Sequence, residues 1–381
     1  MAENLGKTLV TALGIVVLLL LVPASARAQT PTNSPGEATG SPKTTEQVYK
    51  NIKVLKGIPA SQLIPAMEFI TASLGVKCDH CHAEGHFDSD EKKPKVTARK
   101  MMTMMFAINK DNFDTERKVT CYSCHRGAAK PLQTPLIGTA ATMTAMAEEP
   151  ESRPDLSLLP PPAELIDKYV QALGGAAAVE NISSRIVKGT ISGMGGHTFP
   201  SESFYKAPDK SATITHFPNG EMMTIFDGHE GAMIFPGRPA RKLEGADLEA
   251  AKMDGDLHFG IELKTMFSSF KVAPPENVEG HEAFHILASN SGQPPVELYF
   301  DEQSALLVRV VRYAESPLGL YPTRIDYADY RDEGGLKVPF RITTARPGSS
   351  ATLQVEQLQQ NAPIPDSRFA APPESKPAQN P

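Results

Sequence analysis

The apolar positions of this chain change period once, and the change divides it. Up to about residue 181 the repeat is helical. Val48, Ile52 and Leu55 recur at i, i+4 and i+7 until Gly57-Ile58-Pro59 breaks the run. A second helix is predicted to begin near Ser61 or Gln62, because Pro65 is tolerated only in a first turn. Leu63, Met67, Ile70 and Leu74 then mark one face and Gly75 is the stop signal. Residues 83–96 are polar and include Pro94, which predicts a loop. Thr97 is placed to cap a third helix, Ala98 to about Asn109, crowded with Met101, Met102, Met104 and Met105. Ala163–Leu173 predicts an amphipathic helix, and a short one follows Gly174-Gly175 and runs to about Asn181.

Beyond that point apolar residues alternate. The alternation predicts strands at Arg185–Ser192, Ser201–Lys206, Ala212–Phe217, Met222–Phe226 and Gly231–Phe235. Further strands are predicted at Ala283–Ala288, Val296–Phe300, Leu306–Tyr313, Pro322–Tyr330, Val338–Ala345 and Thr352–Leu358. Turn signals such as Pro218-Asn219-Gly220, Asp227-Gly228 and Glu333-Gly334-Gly335 separate them, and strands joined by such short turns are antiparallel. A helical insert near Ala246–Asp254 and Gly260–Ser268 interrupts the series. The expected fold class is α+β in two domains: a small mainly-α module, then a large curved antiparallel sheet, a half-barrel, with a helix packed on one face.

Composition adds boundaries. The chain has 381 residues, 33 of them proline, and the prolines concentrate in two stretches that read as linkers. Lys7, the apolar run Leu9–Val22 and Ala24-Ser25-Ala26-Arg27-Ala28 make a secretory signal, with cleavage expected after Ala28. The expected organisation is a signal peptide (1–28), a linker (29–45), a module (46–132), a Pro/Ala-rich linker (133–162) with a short helix around Thr139–Glu149, the sheet domain (163–366) and a tail (367–381). The mature protein is expected outside the cytoplasm, periplasmic or membrane-associated. A net charge of −6, with no dense Lys/Arg stripe, argues against nucleic acid as a partner.

The candidate chemistry lies in the module. All four cysteines fall in Cys78-Asp79-His80-Cys81-His82 and Cys121-Tyr122-Ser123-Cys124-His125. Each is a C-x-x-C-H, the attachment signature of c-type haem. Two thiols at this spacing bond the two vinyl groups on one haem edge, and the next histidine is carried under the iron. Cys78 and Cys81 would hold one haem, Cys121 and Cys124 a second, with His82 and His125 as axial ligands and His80 a solvated residue. A zinc ribbon would use the four thiols but gives no reason for a histidine after each pair. The opposite axial position sets the function. A thioether there makes a six-coordinate electron carrier, whereas an open iron suits a peroxidase-like enzyme or a sensor. Met67 precedes the first motif on its helix and Met101 precedes the second, with Met102, Met104 and above all Met105 as rivals to Met101. Lys92, Lys93, Lys95, Arg99 and Lys100 are placed to dock an acidic partner or to neutralise haem propionates; a solvated loop and helix start is the plainer alternative.

The segments LIPAMEFITASLGVKCDHCH, ARKMMTMMFAIN and VTCYSCHRG closely resemble the photosynthetic reaction-centre cytochrome c subunit family, over roughly residues 47 to 131. The resemblance implies a repeating unit of Met-bearing helix, turn and C-x-x-C-H. It assigns Met67 to the first iron and Met101 to the second. It also implies two covalently bound haem c groups, one half of the family's four, and electron transfer between redox partner proteins such as a membrane complex or a reaction centre. The stretches YKAPDK, VEGHEAFHI, LYFDEQSALLVR and YADYRDEGGLKVPFRI look like the outer-membrane lipoprotein-sorting superfamily of half-barrels, which implies a lipid or lipoprotein at the sheet domain. His281 and His285 would share one face of a continuous strand, although Gly280 suggests a turn there.

Overall fold

The computed structural model describes residues 42–131, 155–194 and 196–370. The predicted secretory segment, most of the first linker, the helix expected at 139–149 and the end of the tail lie outside the described residues.

The motif-bearing part contains four helices: α1 (Thr45–Val48), α2 (Leu63–Leu74), α3 (Lys93–Asn112) and α4 (Cys121–His125). Helix α1 is shorter than the spacing of Val48, Ile52 and Leu55 predicts. Tyr49 is extended and Asn51 has φ +58, so the chain turns away, leaving Leu55 buried and Val48 exposed. Helix α2 begins after a 3-10 turn at Ala60–Gln62 and stops at Gly75, whose φ of +65 is a left-handed cap. Helix α3 starts a turn earlier than expected. Pro94 falls in its first turn, where a missing N–H leaves no bond unmade, so the proline starts the helix instead of excluding it.

The second part opens with α5 (Pro162–Leu173) and α6 (Ala176–Glu180). Strands β1 (Ser184–Met194), β2 (His197–Lys206), β3 (Lys210–Phe217), β4 (Gly220–Phe226), β5 (Gly231–Ile234) and β6 (Arg241–Lys242) follow as a meander. Helices α7 (Ala246–Gly255) and α8 (Phe259–Met266) come next. A second meander comprises β7 (Ser269–Val278), β8 (His281–Ser289), β9 (Val296–Asp301), β10 (Leu307–Ser316), β11 (Gly319–Glu333), β12 (Leu336–Arg346) and β13 (Ser349–Gln360). All thirteen strands form one open antiparallel sheet in the order β6-β5-β4-β3-β2-β1-β13-β12-β11-β10-β9-β8-β7. The pairing of β1 with β13 joins the two meanders.

Two strands escape the sequence pattern for physical reasons. Strand β6 is only two residues long. Strand β7 contains Pro274-Pro275, which lack ladder N–H groups; it is the sheet's edge strand, and its register shifts between Ala273 and Glu276, where the prolines sit.

The main core forms where α5 and α8 press on the sheet. Leu165, Ile166, Tyr169 and Leu173 of α5 meet Ile286, Leu298, Phe300, Val338 and Phe340. Full burial of each such aliphatic side chain stabilises by about 1.5–3 kcal/mol. The chain after β13 continues inward past 367: Phe369 is buried with Phe204, Ile214 and Ile225. A smaller cluster holds the motif-bearing part together. Leu55, Leu63, Ala66 and Ile70 pack with Met102 and Met105, and Leu318, from the β10–β11 hairpin, completes it.

Candidate haem-attachment sites

Each C-x-x-C-H folds as a single helical turn. In the first, Cys81 N–H and His82 N–H both donate to Cys78 O, at 3.2 and 3.0 Å, so the two thiols three residues apart share one side of the turn. In the second, the five residues are α4 itself, entered from Thr120, whose N–H donates to Ser123 Oγ at 3.0 Å. All four cysteines are unbridged. Burial pushes the Cys81 and Cys121 thiols up, which keeps them protonated at neutral pH.

The two motif histidines are oriented alike. His82 Nδ1 lies 2.9 Å from Phe87 O, and His125 Nδ1 lies 2.9 Å from Ala128 O. A carbonyl can only accept, so Nδ1 carries the proton in both rings and Nε2 keeps its lone pair. This is how proteins prepare an imidazole as a metal ligand. Burial, helped by the charges of Lys95, Arg99 and Lys92, also holds His82 below the usual imidazole range and keeps it neutral.

The surroundings are fixed by polar side chains that bond backbone. Asn109, buried on α3, donates from Nδ2 to Val119 O at 2.7 Å and accepts Val119 N–H on Oδ1 at 2.8 Å. That pair ties α3 to the residue two before Cys121. The loop over the first motif is closed by Asp90, which meets Arg99 at 2.9 Å and Asn51 Nδ2 at 2.8 Å. Arg99 beside it holds the Asp90 carboxyl down at about 2. Lys95 donates to Phe87 O and Ser89 O, and Lys92 to Asp79 O. Three of the five basic residues suggested for partner docking therefore bind the module itself, Lys95 and Arg99 its loop and Lys92 the first motif. The end of α2, just before the first motif, touches the turn just after the second: Gly127 N–H donates to Ser73 O at 2.9 Å, and a Cβ on Gly75 would collide with Gly127 O.

Met102 and Met105 are core residues, 7% and 4% exposed. Met101 and Met104 lie on the outer side of α3, at 40% and 48% exposure, and Met67 is half-buried against the small cluster. Phe87, Val96, Phe113 and Tyr122 are also exposed in this part of the chain. So much uncovered apolar surface around two thiol pairs suits a large flat apolar group held covalently. The residues present therefore fit c-type haem. His80 is exposed. Among the described residues no three His, Cys, Asp or Glu side chains gather as a metal-ligating cluster, so the four thiols do not meet as a zinc ribbon would require.

The sheet carries further features. A cavity of about 510 Å³ is lined by Tyr169, Arg185, Tyr205, Tyr327 and Tyr330. Burial lowers the Arg185 pKa, and its Nε has no hydrogen-bond partner. A second cavity, about 1150 Å³, has Ile64 and Glu68 of α2 on one wall and Arg312, Tyr321 and Arg346 of the sheet on another. His281 and His285 both lie on β8, after the turn at Glu279-Gly280. His281 meets Asp301 at 3.1 Å, while His285 is buried and stacks on Tyr299 at 4.2 Å.

Two C-x-x-C-H turns with prepared histidines mark residues 42–131 as a c-type cytochrome segment, the class that carries covalent haem c. Residues 20–160 match the model of the photosynthetic reaction centre cytochrome C subunit, the family the motifs resemble. Over 112 residues the chain is 36% identical to the photosynthetic reaction center cytochrome c subunit of Thermochromatium tepidum, covering 28% of each protein. Over 90 residues it is 32% identical to cytochrome c-554 of Chloroflexus aurantiacus, covering 22% of each. The chain thus spans less than a third of the length of these curated relatives. Among solved structures it is similar to a DUF1329 family protein from Desulfovibrio piger, with TM-score 0.40 and 13% identity over 56% of this chain and 98% of that one. A LolA superfamily protein from Nitrosomonas europaea gives TM-score 0.38 and 12% identity over 55% and 97%. No helix among the described residues is long and apolar enough to cross a membrane.

Proposed function

We propose that this chain is an exported dihaem c-type cytochrome that passes single electrons between redox partner proteins. The observation that carries the reading is the shared orientation of His82 and His125, each with Nδ1 bonded to a backbone carbonyl and Nε2 left for iron. Cys78 and Cys81 hold one haem, Cys121 and Cys124 the other. Met67 completes the first iron and Met101 the second; the exposure of Met101 and the burial of Met105 support that assignment. Bound haem supplies a one-electron Fe(III)/Fe(II) couple, and thioether ligation suits it to electron transfer. The residues of the chain hold each imidazole in one tautomer, and Met67 and Met101 would supply the thioethers to bound haem. The apolar run Leu9–Val22 behind Lys7 supports a periplasmic address, where a membrane complex or a reaction centre is the fitting partner.

Absorption spectroscopy of the purified protein tests this. Two haems per chain, a sulfur-to-iron band and no reaction with carbon monoxide are expected. Carbon monoxide binding in the intact protein would favour the reading as a peroxidase-like enzyme or sensor with one open iron. A second reading concerns the sheet. Its 510 Å³ cavity, mostly apolar and carrying a cationic Arg185, supports binding of a lipid or lipoprotein acyl chain. An organic extract of the purified protein is expected to contain acyl chains; a clean extract counts against it.

A further inference from the structure

The small cluster behind the haem-bearing helices is not made by those helices alone. Leu318 is fully buried in it, beside Leu63, Ala66 and Ile70 of α2 and Met102 and Met105 of α3. It comes from the tip of the β10–β11 hairpin, far along the chain. The tip is stiffened from within: Ser316, itself fully buried, donates its hydroxyl to Gly319 O at 2.9 Å and accepts Leu318 N–H at 3.3 Å. The next residue lets α2 come close, since a Cβ on Gly319 would strike the ring of Phe69. The same tip reaches the second motif. Arg117, four residues before Cys121, donates to Ser316 O and pairs with Glu315 Oε1 at 3.1 Å.

We propose that this hairpin tip is a positioning device for both axial thioethers: Leu318 sets the spacing of α2 against α3, and so the seating of Met67 and Met101. The inference rests on the ligand assignment above and extends it to residues outside the module. A module this small buries few apolar side chains, and removing one of its few fully buried ones leaves both helices free to shift. Helix α2 carries Met67 one residue from Ala66 and α3 carries Met101 one residue from Met102, so a shift on the core side moves each thioether. Gly319 bears on α2 alone and Arg117 on the approach to the second motif alone, which makes the two effects separable.

The test uses the full-length haem-loaded protein. In Leu318→Ala the sulfur-to-iron band should weaken at both irons, a fraction of iron should bind carbon monoxide, and both redox equilibria should shift. A tenfold change in the oxidised-to-reduced ratio at a fixed poise reads as about 59 mV. Leu318→Met should restore the band. Gly319→Ala should move only the first haem and Arg117→Gln only the second, and these milder variants decide the matter if Leu318→Ala does not accumulate. Leu320→Ala, on the same hairpin but 38% exposed, should change nothing. A lowered melting temperature in Leu318→Ala with an unchanged band and unchanged potentials would reduce the tip to ordinary packing and overturn the proposal. Absence of the band from the unsubstituted protein would instead sink the methionine assignment itself.

Discussion

At the scale of single residues, what could be read from the sequence was what covalent chemistry demands. Haem attachment requires two thiols and a histidine at one spacing, so Cys78, Cys81, His82, Cys121, Cys124 and His125 stand out in one dimension. Asn109 and Asp90 do not, because a side chain that bonds distant backbone leaves no periodic trace. Their roles are testable. Asn109→Ala leaves both polar groups of Val119 without partners, which should cost about 1–3 kcal/mol and lower the melting temperature. An unchanged thermal melt would show the pair to be idle. Asp90 has its carboxyl held near 2 by Arg99. Its folded-state pKa lies below the unfolded one, so its contribution is present above about pH 4 and is lost as pH falls through about 2. Asp90→Asn should therefore destabilise the protein at neutral pH, and the difference from wild type should vanish as pH approaches 2. A difference in melting temperature that persists there would contradict the pairing with Arg99.

At the scale of elements, hairpins were legible because Gly, Asn and Asp at turns combine with alternation on both sides. The eleven strands predicted this way are all present. Prolines misled in two directions. Pro94 looked like a helix breaker and serves as a helix starter, and Pro274-Pro275 hid an edge strand that tolerates them. The rule depends on whether a residue sits in a first turn or on an outer edge, which composition does not reveal. Gly75 was legible as a stop but not as a contact. Gly75→Ala would force a left-handed alanine, at about 1–2 kcal/mol, and add a collision with the Gly127 carbonyl. Urea denaturation followed by circular dichroism should show a lower midpoint; an equal midpoint would mean that the α2 end and the second motif can part without penalty.

At the scale of the whole molecule, the least legible feature was the way the sheet reaches into the haem-bearing part. No local pattern announces that Leu318 belongs to a core made around residue 66. The sheet's interior was equally hidden. Helix α7 lies over the 510 Å³ cavity and has a weak apolar face, with only Ala251 and Gly255 buried. Arg312 holds it by a two-pronged pair with Asp254, at 2.7 and 2.8 Å. Asp254→Asn should loosen α7, and limited proteolysis should then cut between 246 and 255 several-fold faster than in wild type. Equal cutting rates would place the anchor elsewhere.

The contact between Arg117 and Ser316 spans 199 residues. Chains are made from the N-terminus, so the four thiols emerge well before the hairpin that packs behind them exists. Contacts of such separation also form late in folding, because loop closure must be paid for first. The timing creates an interval in which the segment around Cys78 and Cys121 is accessible and its core still open. A haem offered in that interval would meet a slack substrate, and the later packing of Leu318 would close the cluster behind it. Placing the brace at the far end of the chain lets cofactor loading come first and rigidity second.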